Sequence, residues 1–423
     1  MSGRRHSIAV AGAGIGGLTA ALLLSRAGFA VSLIEKRTRV EEEGAGLQLS
    51  PNASRILIGA GLGHVLSRRA IAPECVRIRR GNDGRDLATI PLGQTIKKRH
   101  GAPYLVIHRA ELASLLLDAV RASPGVRLLY GREARGVAEH DGGITVSLHG
   151  ERGSESALEA SALVAAEGIW SAHAPADSLP RFSGFCAWRA LVPAASAPEL
   201  VGSGEVGLWL GPRAHLVHYP LKNAGVVNVV AVIEDRRPRA GWSRAGEKGV
   251  IAGAFAGWAE VPRALIASAP SWKCWSLFDR KPARRWGNGL VTPLGDAAHP
   301  ILPFLAQGAA LAIEDAAVLA ANLAPMAKPD EIIVGGLNDA KTQRSEAQGS
   351  ADIGRALRRY EGERAARTIR AQREARRNML AYHATFPLSL VRDLVLARAS
   401  GEQLLARFDW LYGWSADQSS VQH

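Results

Sequence analysis

Cysteine is scarce in this 423-residue sequence, which contains only Cys75, Cys186 and Cys274, spaced far apart. An odd number of distant cysteines argues against a disulfide framework. Without paired Cys or His motifs, a zinc or other metal site is not expected either. This cysteine usage is typical of a reducing compartment, so the sequence predicts a cytoplasmic protein.

Long apolar runs are missing as well. No stretch of 18 uninterrupted apolar residues occurs, so we expect no membrane-spanning helix and no stable membrane association. Apolar residues nevertheless make up 47% of the chain, which is enough for a globular core. The length exceeds that of one typical domain and favours two domains or one large composite.

Acidic residues are fewer than basic ones, 39 against 52, which gives a net charge of +13. Nine arginines and three glutamates lie between Arg355 and Arg377, so the excess is concentrated in one segment. No nucleic-acid-binding motif accompanies them, and we expect no nucleic-acid partner. We interpret the segment as a solvated helix face or as a positive field for an anionic substrate.

A glycine-rich loop follows the first apolar run, Ile8 to Ala11. In the G-x-G-x-x-G pattern, the first glycine permits a tight turn, the second lets the backbone approach a pyrophosphate, and the third allows close helix packing. An extra glycine precedes the third. The glycines of this loop are Gly12, Gly14, Gly16 and Gly17.

An acidic residue completes this pattern. An Ala- and Leu-rich helix, 18–27, ends at Gly28, and the next strand, 30–34, leads to Glu35 and Lys36. Glu35 lies 18 residues after Gly17, near the spacing at which a carboxylate binds an adenosine ribose. Strand, glycines, helix, strand and acid in this order predict a dinucleotide site, and the sequence carries one such fingerprint.

A second, strand-rich region begins with a predicted hairpin at 76–96 and continues over 183–232. Within it, alternation places His215, Val217 and Tyr219 on one face of a strand. The side chains of His215 and Tyr219 could line a pocket, although a sheet face partly exposed to solvent would give the same pattern.

Later in the chain, a strand ends on Gly295-Asp296, and a helix of small residues runs from near Gln307 to Leu323. A helix N-terminus of this kind can accept negative charge from a ligand ring or a phosphate. Arg109, in the first turn of another predicted helix, is unfavourable there unless an anion lies nearby.

These motifs together resemble the class A flavin-dependent monooxygenases of the p-hydroxybenzoate hydroxylase type. Within that family the sequence is most similar to salicylate and 3-hydroxybenzoate hydroxylases. The resemblance covers nearly the whole chain apart from about 328–352. Its segments are GAGLQLSPNASRIL, HRAEL, WLGPRAHLVHYP, GDAAHPILPFLAQGAALAIEDAAVLA and RFDWLYGW.

The resemblance implies an α/β fold in which a Rossmann-like FAD-binding domain of the GR2 type is interleaved with a mixed β-sheet substrate domain, followed by C-terminal helices. It also allows a homodimer. The implied division is 1–75, 105–182 and 283–327 for the FAD-binding domain, 76–104 and 183–282 for the substrate domain, 328–352 for a surface insertion and 353–423 for the helical region.

It further implies FAD as the bound cofactor, with NADH or NADPH as a transient co-substrate. Residues expected near FAD, besides the glycines of the loop, are Glu35, Lys36, Gly46, Leu47, Gln48, Arg109, Asp296, Gly308 and Ala309. Glu35 would bind the ribose, and the segments at 46–48 and 306–309 would lie on either side of the flavin ring. The expected catalytic residues are His215, Tyr219, Arg189 and Gln307.

The implied reaction is hydroxylation of a small anionic aromatic ring, such as a hydroxybenzoate or salicylate. No side chain supplies electrophilic oxygen, whereas a reduced flavin does so by forming a hydroperoxide with dioxygen. A neutral His215 would help to remove the phenol proton. One alternative is a hydroxylase of an N-heteroaromatic such as 6-hydroxynicotinate.

Two departures from the family pattern suggest a second alternative, a non-catalytic flavin-binding protein. Glu167-Gly168 stands where the family has Asp-Gly, so the charge is retained but displaced by one methylene. Ser171-Ala172-His173-Ala174 stands where the family has Ser-x-x-Arg, so the arginine is missing.

Overall fold

The computed structural model describes residues 6–40, 46–150, 153–175, 178–222, 225–235, 244–327 and 339–416, with the backbone alone for 339–346. The strands in chain order are β1 Ser7–Ala11, β2 Ala30–Glu35, β3 Gly46–Leu49, β4 Cys75–Arg80, β5 Asp86–Pro91, β6 Leu105–His108, β7 Val126–Tyr130, β8 Arg132–His140, β9 Gly143–Gly150, β10 Glu155–Ala160, β11 Ala162–Ala165, β12 Arg181–Pro193, β13 Glu205–Gly211, β14 Ala214–Leu221, β15 Val226–Glu234, β16 Arg244–Gly246, β17 Trp272–Asp279 and β18 Val291–Pro293.

The α-helices lie between and after these strands. They are α1 Ile15–Arg26, α2 Pro51–Leu57, α3 Gly63–Arg69, α4 Gly93–His100, α5 Arg109–Arg121, α6 Pro198–Gly202, α7 Lys248–Ala254, α8 Glu260–Ser268, α9 Gly308–Leu323, α10 Asp339–Tyr382, α11 Leu388–Arg398, α12 Gly401–Ala406 and α13 Asp409–Tyr412.

A five-stranded parallel sheet forms the first core, in the order β18-β11-β1-β2-β7. Its central strands are continuous apolar runs, as expected for strands buried on both faces. The helices α1 and α9 pack against each other, and both bury most of their apolar side chains in this core. The predicted loop, helix and strand after β1 are therefore confirmed.

A second, eight-stranded sheet has the order β16-β17-β12-β15-β14-β13-β4-β5. It is mixed, because β13 pairs in parallel with β4 while the other neighbours are antiparallel. Two smaller antiparallel sheets, β10-β9-β8 and β3-β6, complete the strands. A parallel sheet, a mixed sheet and a helical C-terminal region together confirm the predicted α/β fold class.

Some predicted element boundaries are wrong. The 76–96 hairpin ends at Pro91, and α4 begins at Gly93. Residues 244–246 form β16. Residues 339–352, implied to belong to a surface insertion, are part of α10, while 328–338 lie outside the described residues.

The arginine-rich segment of α10 is not simply a solvated face, which corrects that interpretation. The Arg364 side chain is 1% exposed and contacts Glu314 and Asp315 of α9, at 2.7 Å in both cases. Arg367 also binds Glu314 at 2.7 Å. Arg376 binds Asp279 at the end of β17 at 2.8 Å. These arginines join α10 to the body of the protein.

One described helix, Gly308–Met326, is apolar and long enough to cross a membrane by length and composition alone. It contains α9, whose residues Glu314 and Asp315 are completely buried against α10. Its apolarity is explained by its place in the core.

Replacing Arg364 by Met should reduce the free energy of unfolding by about 3–5 kcal/mol, because Glu314 and Asp315 would remain buried with one cation fewer. The measurement is urea-induced unfolding. The matched control is Arg377→Met on the same helix, whose side chain is 76% exposed and pairs with Glu374. We expect the control to stay within about 0.5 kcal/mol of the wild type. Equal losses in both variants would contradict a buried ion cluster.

Candidate cofactor and substrate site

The glycine loop is closely packed against neighbouring backbone. Gly12 has φ +98°, and a Cβ built there would lie 2.5 Å from the Ala166 carbonyl oxygen. A Cβ on Gly17 would overlap the Gly12 carbonyl oxygen. Gly14 is the N-cap of α1 in an extended conformation. Positions 12 and 17 therefore require glycine, and the N-terminus of α1 opens at the carboxyl edge of the parallel sheet.

Glu35 lies directly at this loop. Its Oε2 accepts a hydrogen bond from the Ala13 amide at 2.9 Å, and its Oε1 accepts one from the Arg37 amide at 3.0 Å. Two backbone donors hold the carboxylate over the glycine loop, where a ribose hydroxyl could reach it. Lys36 is exposed beside it.

The turn after β18 packs onto the same loop. A Cβ on Gly16 would lie 2.8 Å from the Leu294 side chain and 3.1 Å from that of Ala312. The Gly295 amide donates to Asp315 at 2.9 Å, and His299 contacts the same carboxylate oxygen at 2.6 Å. The structure therefore brings the glycine loop, the Gly295-Asp296 turn and α9 together.

Arg109 interacts electrostatically with both Asp296 and Arg189. The Asp296 side chain is accessible, yet the surrounding protein raises the pKa of its carboxyl, against the opposing charges of His299 and Arg109. Burial, and then the nearby Arg109, lowers the pKa of Arg189. Arg109 is close enough to influence both groups. An accessible acid and a nearby arginine are therefore available at this turn to contact the polar parts of a bound dinucleotide.

Residues 46–48 lie against Tyr219. A Cβ on Gly46 would be 2.5 Å from the Tyr219 ring, and the Gly46 amide donates to Asn228 Oδ1 at 2.7 Å. Burial raises the pKa of Tyr219, although Arg189 and a hydrogen bond with Gln48 oppose this. The phenol therefore stays protonated, which suits it to orient a ligand and makes it unsuitable as a base.

Gln307 is buried, with its amide held inside the protein. Its Oε1 accepts from Asn52 at 3.1 Å, and its Nε2 donates to the Ser50 hydroxyl at 2.8 Å. Asn52 also donates to Glu314 at 2.5 Å. Gly308 and Ala309 follow in the first turn of α9 and are half-buried. Gln307 thus fixes the start of α9, and its expected catalytic role stays a prediction.

His215 and Tyr219 lie on the same face of β14, as alternation predicted, and both are buried. The His215 ring contacts Phe304 at 5.5 Å, Tyr382 at 5.4 Å and His383 at 4.9 Å between ring centroids. Burial, and then His383, lowers the pKa of His215 well below its usual value. The imidazole is therefore neutral, as a proton acceptor must be.

Glu167, which stands where the family has an aspartate, is hydrogen-bonded by nearby side chains. The Ser171 hydroxyl donates to Glu167 Oε2 at 2.7 Å, and His173 Nδ1 lies 3.1 Å from the same oxygen. The His173 amide donates to the Ser171 hydroxyl at 3.1 Å. The carboxylate is therefore held by a serine and a histidine within its own loop.

Several side chains that build the site were not predicted from the sequence. Tyr104 donates to Gln48 Oε1, Asn228 holds Gly46, and His383 contacts His215. Ser50 and Asn52 lay inside a quoted motif and could have been selected from it. Tyr104, Asn228 and His383 are isolated polar residues, and no local pattern indicates their partners.

A family model described as "FAD binding domain" matches residues 5–333. A 3-amino-4-hydroxybenzoate 2-monooxygenase of Streptomyces platensis is 37% identical over 98% of this chain and 98% of its own length. A 3-hydroxybenzoate 6-hydroxylase of Polaromonas naphthalenivorans is 33% identical over 96% of each chain. A salicylate hydroxylase substrate complex has a TM-score of 0.77 at 23% identity and covers 99% of this chain and 97% of its own.

The chain therefore belongs to the FAD binding domain family. It is an FAD-dependent aromatic-ring monooxygenase, which confirms the resemblance seen in the sequence and the prediction of an enzyme. The glycine loop and Glu35 fit FAD by their own geometry. Dioxygen and NADH or NADPH are the co-substrates of this class.

A Gly17→Ala substitution should remove FAD from the protein, because the new methyl group would overlap the Gly12 carbonyl and distort the loop. The measurement is the ratio of flavin to protein absorbance after incubation with excess FAD and gel filtration. Gly59→Ala is the matched control, since nothing lies within 4 Å of a Cβ built there. A Gly17 variant that retains as much flavin as this control would contradict the assigned site.

Buried histidines should make stability depend on pH. Burial lowers the pKa of His218 to about 4, while an unfolded imidazole titrates near ~6.5. Its contribution to stability is therefore complete above about pH 6.5 and is lost as the pH falls toward about 4. We expect His218→Phe to reduce the slope of unfolding free energy between about pH 4.5 and 6 by nearly 1.4 kcal/mol per pH unit. Urea unfolding across this range measures the slope, and an unchanged slope would show that His218 is not buried in its neutral form.

Proposed function

We propose that this enzyme hydroxylates a small anionic phenol of the hydroxybenzoate or salicylate type. The observation that carries the proposal is His215: a buried, neutral imidazole on the same strand face as Tyr219, which itself contacts Gly46 of the expected flavin-facing segment. The full-length relatives act on hydroxybenzoates and aminohydroxybenzoates, which supports the same substrate class.

The proposed roles follow from the chemistry of each side chain. His215 accepts the proton of the substrate hydroxyl, which enriches the ring in electrons at the carbon that is to be oxygenated. Tyr219, kept protonated by burial, orients the ring through its hydroxyl group. Arg189 and Arg109 supply a positive field that favours an anionic ligand. Asp296 and Glu35 bind the polar parts of FAD.

When bound, FAD takes two electrons from NADH or NADPH and provides an electrophilic oxygen from dioxygen. One oxygen atom would enter the ring, and the other would leave as water, which takes up the two electrons and the proton delivered as hydride by NADH or NADPH together with one proton from solvent. The aromatic residues around His215 exclude water, which protects this chemistry from side reactions. Glu167, held by Ser171 and His173, retains a carboxylate where the family has an aspartate.

His215→Asn should lower the rate of hydroxylated product formation about a hundredfold or more, because the proton acceptor is lost. Product is measured by chromatography, together with substrate-stimulated oxidation of NADH or NADPH. We expect oxidation to continue while coupling to product falls. The control is His218→Phe, which changes a histidine on the opposite face of β14.

The substrate panel for this experiment should contain 3-hydroxybenzoate, salicylate, 3-amino-4-hydroxybenzoate and 6-hydroxynicotinate. Turnover of 6-hydroxynicotinate alone would replace the proposed substrate class by an N-heteroaromatic. Wild-type product formation in the His215→Asn variant would exclude His215 as the acceptor.

We also propose a cytoplasmic location, supported by three cysteines that are all free in the structure. A homodimer stays a prediction, which the molar mass in solution would decide.

A further inference from the structure

His383 lies one residue beyond α10 and meets His215 from across the fold. His215 Nδ1 and His383 Nε2 are 2.8 Å apart, although 168 residues separate them in the chain. The other ring nitrogen of His383, Nδ1, is 2.8 Å from the Met379 carbonyl oxygen. The two imidazoles and this carbonyl therefore form one chain of hydrogen bonds.

The Met379 carbonyl determines which atom donates in each of these hydrogen bonds. A carbonyl oxygen only accepts, so His383 Nδ1 must carry a proton and donate. A neutral imidazole has a single N–H, so His383 Nε2 is an acceptor. His215 Nδ1 must then donate to it, and the bare nitrogen of His215 is Nε2.

Both rings are neutral, as this assignment requires. Burial lowers the pKa of His383 to about 4, although its bond to Met379 opposes the shift. Burial likewise lowers the pKa of His215, and His383 adds to the effect. An imidazolium would have no bare nitrogen, and in this environment it is disfavoured at neutral pH.

The surroundings hold His383 in place. Its ring stacks on Phe185 with centroids 4.3 Å apart and an interplanar angle of 20°. Its carbonyl accepts from the Arg213 amide at 3.1 Å, in the turn that leads into β14. Arg392 donates to the carbonyls of Ala381 and Tyr382 at 3.1 and 3.3 Å. The end of α10 is thus tied to the strand that carries His215.

We propose that His383 is a positioning residue that keeps the proton of His215 on Nδ1, so that Nε2 is free to accept the proton of the substrate hydroxyl. The catalytic part of this inference rests on the proposed function, whereas the assignment of the proton rests on the hydrogen-bond chain alone. Without His383, the His215 ring could carry its proton on Nε2 and would then present a donor where an acceptor is needed.

The experiment uses the FAD-loaded full-length protein with ¹⁵N-labelled histidine and reads the tautomer of His215 by NMR, with its signals assigned by their loss in His215→Asn. In the wild type we expect a protonated Nδ1 and a bare Nε2. His383→Gln retains an acceptor near the position of Nε2 and should preserve this tautomer. His383→Phe retains a ring against Phe185 but no acceptor, and should shift the proton toward Nε2.

The same variants are compared in turnover. We expect kcat for hydroxylated product to fall about tenfold to a hundredfold in His383→Phe, with a smaller change in KM, and to recover to within about threefold of the wild type in His383→Gln. Arg377→Met is the matched control, because it replaces an exposed arginine of the same helix and leaves the contacts of both rings unchanged. It should keep the wild-type tautomer.

A bare Nδ1 on His215 in the wild type, or an unchanged tautomer in His383→Phe, would overturn the inference. Full activity in His383→Phe with a shifted tautomer would overturn its catalytic part. The NMR measurement needs no turnover, so a wild-type enzyme that hydroxylates none of the phenols would count against the proposed function and leave the assignment of the proton to be decided by the spectra.

Discussion

The buried ion cluster between α9 and α10 is the interaction on which the rest of the site depends. Glu314 and Asp315 are fully buried and adjacent in sequence, so their charges repel unless cations lie between them. Burial would raise the pKa of Asp315, but His299 and then Arg364 overcome this and lower it to about 2. The carboxylates therefore remain charged, and removal of one cation leaves a costly unpaired charge.

The two carboxylates connect this cluster to both parts of the site. Asp315 accepts from the Gly295 amide and so holds the turn that carries Asp296. Glu314 accepts from Asn52, which in turn binds Gln307 at the start of α9. From Arg364, α10 continues for about five turns, roughly 28 Å, to His383. The helix α10 therefore connects the Gly295-Asp296 turn, through Arg364 and Asp315, with the His383 ring that contacts His215.

Local features of the sequence were sufficient to predict the nucleotide-binding half. Gly12 and Gly17 have almost no tolerated replacement because neighbouring backbone occupies the space of a side chain. Glycines at such positions are therefore a strong sequence signal for a nucleotide-binding fold. The shared face of His215 and Tyr219 followed from the two-residue period of a strand, which depends on no distant contact.

Contacts between distant segments could not be predicted in this way. Arginines at 355–377 indicate charge, but whether they face solvent or Glu314 depends on how α10 packs. His383 is a single histidine near a helix end, and nothing in its neighbourhood points to His215. The hydrogen bonds of the Gln307 amide with Ser50 and Asn52 join segments about 255 residues apart, which no local pattern predicts.

The separation of His215 from His383 has a consequence for synthesis of the chain. The ribosome makes the glycine loop, the parallel strands and the whole of β14 before the last turn of α10 exists. A nascent chain can therefore form the glycine loop and the strands of the parallel sheet while the His215 ring still lacks its partner. The contact between His215 and His383 can form only when the last turn of α10 has emerged and docked.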